Sequence, residues 1–253
     1  MVKQLDFVAY RKLKNIQIDF SQHVNIIAGT NGTCKSSILH LISNSYQKIK
    51  TTSDIVTDAQ AIKVISKINR ILNPKIEGLT RGDEEYNNPA PGVPGTLYKC
   101  TYDNDYELKF RRHNASDNTR FAIKPEYKIG KNDALPMMPV IYLGLFRLFA
   151  FGEFSDDESI KNITQKLPIE IKSELRELYN KFTGYNIELE QLNEMGVIKN
   201  RADFKTDTKG IDSNTISAGE DNLFIILLSL VSLKYYFDPN CQVKCNKDVP
   251  LIK

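Results

Sequence analysis

"NIIAGTNGTCKSSILHLI", residues Asn25 to Ile42, sets a short apolar run, a glycine-bearing turn and an amphipathic segment in series. Strand, loop and helix in that order suit a phosphate-binding loop, in which glycine-permitted dihedrals turn backbone amides toward phosphate oxygens at the positive end of a helix. Gly29, Gly32, Lys35 and Ser36 stand at the expected spacings. The pattern G-x-x-x-x-G-K-S/T is broken at one place, where Cys34 replaces the second glycine. A cysteine keeps its amide, and a left-handed dihedral costs a non-glycine residue about 1–2 kcal/mol, which a packed loop absorbs. The expected nucleotide-binding set is therefore Gly29, Thr30, Asn31, Gly32, Thr33, Cys34, Lys35, Ser36 and Ser37. Lys35 reaches the outer phosphates of ATP and Ser36 is the Mg2+ ligand. A thiol at this place is expected to react selectively with alkylating agents and to be shielded by ATP. The competing reading is a surface turn followed by an ordinary helix start.

Outward from that stretch, "KQLDFVAY" and "KNIQIDF" alternate apolar and polar residues, and "HVNIIAG" is an apolar run ending in glycine, so three strands are expected ahead of the loop. From Lys35, residues Ile38, Leu41, Ile42 and Tyr46 fall at helical spacing, with Leu39 adding to the buried face. A second helix is expected over Asp54–Leu72, opened by a Ser53 or Asp54 cap and closed before Pro74. Glycine, proline, asparagine and acids make 78–95 a surface loop. "GTLYKCTY", "DYELKFRRHN" and "TRFAIKPEYK" read as an antiparallel meander, and "MPVIYLGLF" as a buried strand. Residues 156–185 turn helical, broken at Pro168 and stopped at Gly184. A polar strand-and-loop connector spans 186–215, and a helix runs from Ser217 to about Phe237.

The chain has 253 residues and is 41% hydrophobic, enough for one large domain or two lobes. Its 34 basic and 31 acidic residues leave a net charge of +3, too small to argue for nucleic acid from bulk electrostatics. The N-terminus has no apolar core or cleavage site of a secretory signal. The longest apolar run, Leu223 to Leu233, is short of a bilayer span, so no membrane partner is expected. Four scattered cysteines, Cys34, Cys100, Cys241 and Cys245, suit a reducing cytoplasm. Cys241 and Cys245 have no second ligand pair to complete a metal site.

A second motif, Ser217, Ala218, Gly219 and Glu220 in "NTISAGEDNLFIILLSL", begins an apolar helix. Alone it is an N-cap. Together with "FVAYRKLKNIQIDF", "GTNGTCKSS" and "PVIYLGLFRLFAFGE", taken in order, it makes the chain resemble the ABC-type ATPase heads of the RecF, SMC and OLD group, notably the small RecF-like ATPases of anti-phage defence. The resemblance implies a P-loop NTPase of ABC-head type: an α/β fold, with a mixed sheet, an antiparallel β region and a small helical insertion. It implies ATP and Mg2+ as cofactors. Arg11 then approaches the nucleotide, and Ser217, Ala218, Gly219 and Glu220 form the signature motif contacting ATP held by a second head. The partners implied are a second head in a homodimer or higher oligomer, a nuclease or other effector, and DNA.

The group's Asp-Glu pair, which orients magnesium and activates water, and its switch histidine are not found, nor is a Toprim nuclease region. No catalytic residue is identified, and Arg147 reads as an ion-pair partner beside a missing Q-loop glutamine. The expectation is an incomplete head: 1–150 the loop and β region, 151–200 a helical insertion and connector, 201–253 the signature helix and tail. Its function is expected to be ATP binding, with ATP hydrolysis tied to the resemblance alone. The alternatives are a regulatory nucleotide-binding module without hydrolysis, and a nucleic-acid module using the basic hairpin "KFRRHNASDNTRFAIKPEYK".

Overall fold

The computed structural model describes residues 1–48, 89–113, 122–127, 134–144, 148, 160–162, 169–195 and 199–234. Among these, residues up to Tyr142 belong to one compact unit and those from Leu143 to another. The expected helix over Asp54–Leu72, Arg147, and the tail with Cys241 and Cys245 lie outside the described residues; of the helical run expected from Asp156 to Pro168 only Ile160–Asn162 is described, and it is a strand paired with Asn193–Met195 rather than helix. The fold is mixed α/β, with antiparallel sheets and few helices.

In the first unit, β1 (Val2–Tyr10), β2 (Leu13–Asp19), β3 (Thr96–Tyr102), β4 (Glu107–His113) and β5 (Ala122–Glu126) form one sheet in the order β2-β1-β3-β4-β5. Every neighbouring pair is antiparallel. The alternation in β1 explains its place: Leu5, Phe7 and Ala9 are buried while Val8 faces out. The expected meander is β3–β4–β5, and its register sets Tyr98 opposite Phe110, whose rings stack with centroids 4.6 Å apart. Helix α1 (Lys35–Asn44) lays Ile38 and Leu41 into the same core. Its end is closed by Ser45, whose hydroxyl donates to the Leu41 carbonyl at 2.8 Å while the Tyr102 hydroxyl donates to the Ser45 carbonyl at 2.6 Å.

Four expectations for this unit are corrected. "MPVIYLGLF" forms no strand over its described residues 138–144, and Val140, Ile141 and Tyr142 are only half-buried. Leu39 is 46% exposed, because it lies a full helical step beyond the stripe through Ile38 and Leu41. "HVNIIAG" forms no strand: Val24 and Ile26 are 78% and 88% exposed. The Asn25 side chain instead closes a local turn, accepting from the Ser21 amide at 2.8 Å and donating to the Ser21 carbonyl at 3.0 Å. The sheet is antiparallel rather than mixed, the parallel pairing among the described residues being an isolated bridge between Gln47 and Met137.

In the second unit, β6 (Ile160–Asn162), β7 (Ile187–Met195) and β8 (Lys199–Thr206) form an antiparallel sheet in that order, with helices α2 (Ile169–Thr183) and α3 (Ala218–Lys234) packed beside it. Ile171, Leu175 and Tyr179 recur every fourth residue on α2 and are fully buried. Tyr179 meets Phe204 and Phe224 with ring centroids at 5.4 and 5.7 Å. Gly184, at φ 77°, ends α2 and donates its amide to the Asn180 carbonyl at 2.9 Å, as an αL cap should. The expected polar connector is largely the β7–β8 hairpin. Helix α3 is apolar on most sides and buries Phe224, Leu228 and Val231, while its serines Ser229 and Ser232 donate back to the carbonyls of Ile225 and Leu228. Among the described residues no helix is long and apolar enough to cross a membrane.

Candidate functional site

The loop ahead of α1 carries positive φ at three positions. Gly29 sits at φ 154°, Gly32 at 79°, and Cys34 at φ 66°, ψ 17°, in the left-handed region. Cysteine thus takes the conformation that a glycine would take there. A Cβ on Gly29 would stand 3.0 Å from the Thr33 hydroxyl, so the tight turn excludes a side chain. That hydroxyl donates to the Thr30 carbonyl at 2.8 Å and braces the turn. The Lys35 ammonium folds back over the loop, 2.7 Å from the carbonyls of both Gly29 and Thr30.

The first turn of α1 has no side-chain cap and no acidic residue. Its first helical bond is Ile38 N–H to the Cys34 carbonyl, at 3.0 Å, leaving the amides of Lys35, Ser36 and Ser37 without an acceptor among the described residues. The partial positive charge of the helix end is therefore unopposed. The two serines divide: Ser36 is exposed, while buried Ser37 accepts from Arg11 Nη1 at 3.0 Å.

Arg11 reaches α1 because Tyr10 and Leu13 pair, making Arg11 and Lys12 a two-residue hairpin turn with Arg11 at φ 54°. Its guanidinium also stands 5.8 Å from the Tyr10 ring centroid. The first unit thus brings Arg11 together with the whole set from Gly29 to Ser37. His40, further along α1, is structural: its Nε2 lies 2.8 Å from the Tyr142 hydroxyl. Burial first, and then the Arg11 charge, push its imidazole below the usual value, so it is neutral at pH 7.

For Mg2+, the described residues offer the exposed hydroxyl of Ser36, with no carboxylate bonded to it. That donor set fits an octahedral ion whose other ligands are phosphate oxygens and water. It does not fit a cage made by protein alone, and no cluster of three or more His, Cys, Asp or Glu occurs among the described residues.

Ser217–Glu220 form a different kind of helix start. Ser217 and Glu220 make a reciprocal capping box: the Glu220 amide donates to Ser217 Oγ at 3.3 Å, and the Ser217 amide donates to Glu220 Oε2 at 2.7 Å. The other Glu220 oxygen accepts from the Tyr185 hydroxyl at 2.8 Å. Partial burial alone would push the Glu220 carboxyl up, but its bonds from the Ser217 amide and the Tyr185 hydroxyl hold it below the usual range. Ser217, Ala218 and Gly219 are exposed. The approach to them is fixed by buried Arg201, which donates to the Asn214 side chain, and by Asp212, whose carboxylate accepts from the Asn214 amide at 2.8 Å.

Sequence reading passed over Lys12, Tyr185 and Arg201. Lys12 had a signal, its place beside Arg11 in a two-residue turn. The other two act across long separations and had none. The hairpin considered for nucleic acid places Arg111, Arg112 and His113 against Val93–Gly95, around an open cleft of about 410 Å3. Comparison of the chain with protein-family models, with curated proteins and with solved structures finds no match.

Proposed function

We propose that the loop Gly29–Ser37 binds the phosphates of ATP. Backbone amides at the α1 start surround the anion, Lys35 and Arg11 supply charge, and Ser36 ligates Mg2+. The observation that supports this most is the unfilled α1 start: uncapped, free of acids, and approached by two cations through a loop with positive φ at Gly29, Gly32 and Cys34. A plain surface turn would gain nothing from holding Cys34 in a strained dihedral. In this reading the chain is an ABC-type head of the RecF, SMC and OLD kind. A setting in phage defence or DNA maintenance, and an effector such as a nuclease, come from the resemblance alone. The proposal concerns binding, since no carboxylate among the described residues is bonded to the loop.

Titration with MgATP tests it. Lys35→Ala should weaken binding roughly 10- to 100-fold, the range of a charge-assisted bond to phosphate. Equal affinity in wild type and variant would overturn the reading.

A second element is ATP-dependent head dimerisation through Ser217–Glu220, supported by the exposure of Ser217, Ala218 and Gly219 at a helix start. It predicts an ATP-induced dimer, seen by light scattering, that Ser217→Arg abolishes. A wild type that stays monomeric with saturating ATP would sink it.

A further inference from the structure

We infer that Lys12, outside the loop motif, is a second ammonium clamp on the phosphates, standing beside Gly32 while Lys35 is bonded to the carbonyls of Gly29 and Thr30. The inference rests on the phosphate-loop reading above. Gly32 has φ 79°, and a Cβ built on it would stand 3.5 Å from Lys12 Nζ. The ammonium therefore stands within ordinary contact distance of the loop at Gly32. Lys12 is exposed, and it has neither hydrogen bond nor ion pair among the described residues.

Its position is imposed rather than accidental. Lys12 is the second residue of the β1–β2 turn, and the first, Arg11, is tied to Ser37 on α1 at 3.0 Å. One bond thus pins the turn to the start of the helix and holds Lys12 above the loop. Arg11, Lys12 and Lys35 then converge on a helix start that carries no acid in its first turn. Three cations without a carboxylate repel one another until an anion of several charges arrives, and a triphosphate meets that need better than a diphosphate.

The test compares wild type, Lys12→Ala, Lys12→Arg and Lys35→Ala by titration with MgATP and MgADP at low and high salt, with melting of each nucleotide-free protein alongside. Lys12→Ala should weaken MgATP about tenfold, the low end of a charge-assisted contact, and weaken MgADP less. It should also flatten the salt dependence and leave the nucleotide-free melting temperature unchanged. Lys12→Arg should recover most of the affinity. A wild type that binds and is weakened by Lys35→Ala, while Lys12→Ala binds as wild type, would overturn the role of Lys12 and leave the loop reading standing. A wild type that binds no nucleotide would overturn both.

Discussion

Replacing Cys34 by alanine and by glycine separates backbone strain from everything else the thiol does. Both variants lose the sulfur and its contacts with the core beside it. They differ by one Cβ, held at φ 66°, ψ 17°. At that dihedral the Cβ costs about 1–2 kcal/mol. Glycine gives back about 0.4–1 kcal/mol through its freer unfolded chain. The difference leaves Cys34→Gly the more stable variant by about 0.8 kcal/mol at the midpoints and at most about 1.6 kcal/mol. At an ordinary helical dihedral the order reverses, with alanine ahead by about 0.8–1 kcal/mol. The sign therefore reports the dihedral. The chain contains no tryptophan, so urea unfolding is best followed by circular dichroism, comparing midpoints at a common slope. Cys34→Val should fall below both, since a β-branched residue tolerates the left-handed region least. Alanine more stable than glycine would refute the left-handed assignment, and with it the account of how cysteine replaces the loop glycine.

Cys34, half-buried at the loop, should be alkylated in the native protein and protected by MgATP; peptide mapping that finds equal labelling with and without nucleotide would count against the site. Cys100 should stay unlabelled until unfolding, because burial pushes its thiol up to about 12. The Glu220 carboxyl is held below its usual 4.5, so its stabilisation is full at neutral pH and is lost as pH falls through the folded value. Glu220→Gln should therefore lose less stability than wild type between about pH 5 and 3, by no more than about 1 kcal/mol for so exposed a group. Parallel acid-unfolding curves for the two proteins would refute a stabilising role for the charge.

The parts of the fold that were legible in sequence are those decided locally. The alternation of Leu5, Phe7 and Ala9 made β1, and the break at Pro168 and the glycine at 184 bounded α2. Cys34 took the left-handed dihedral that its place in the loop required. What was not legible depends on partners far along the chain. "HVNIIAG" has the side chains of a buried strand, but a strand also needs a neighbour to bond, and apolar composition does not say whether one is present. Leu39 was misjudged because an apolar residue one step off the stripe looks the same in composition as one on it. The setting of Lys12 over Gly32 follows from the Arg11–Ser37 bond, and that of Glu220 from Tyr185, neither of which any short window contains.

The two helix starts argue for different roles by opposite means. A helix start leaves amides that need acceptors, and the start of α3 finds them within its own chain: Ser217 and Glu220 satisfy one another, and Tyr185 holds the carboxylate in place. The start of α1 is left open, though serine and threonine lie on both sides of Cys34 and either type caps helices well. Thr33 instead spends its hydroxyl on Thr30, Ser37 on Arg11, and Lys35 its ammonium on loop carbonyls. The hydroxyls of Thr33 and Ser37 are thus turned to shaping the loop rather than to closing the helix. A phosphate at α1 therefore displaces no internal cap, whereas one at α3 must compete with Glu220 for the Ser217 amide. If both starts serve the same nucleotide from two heads, α1 should bind first and α3 should engage only after the capping box yields, which makes Ser217–Glu220 the weaker and later of the two contacts.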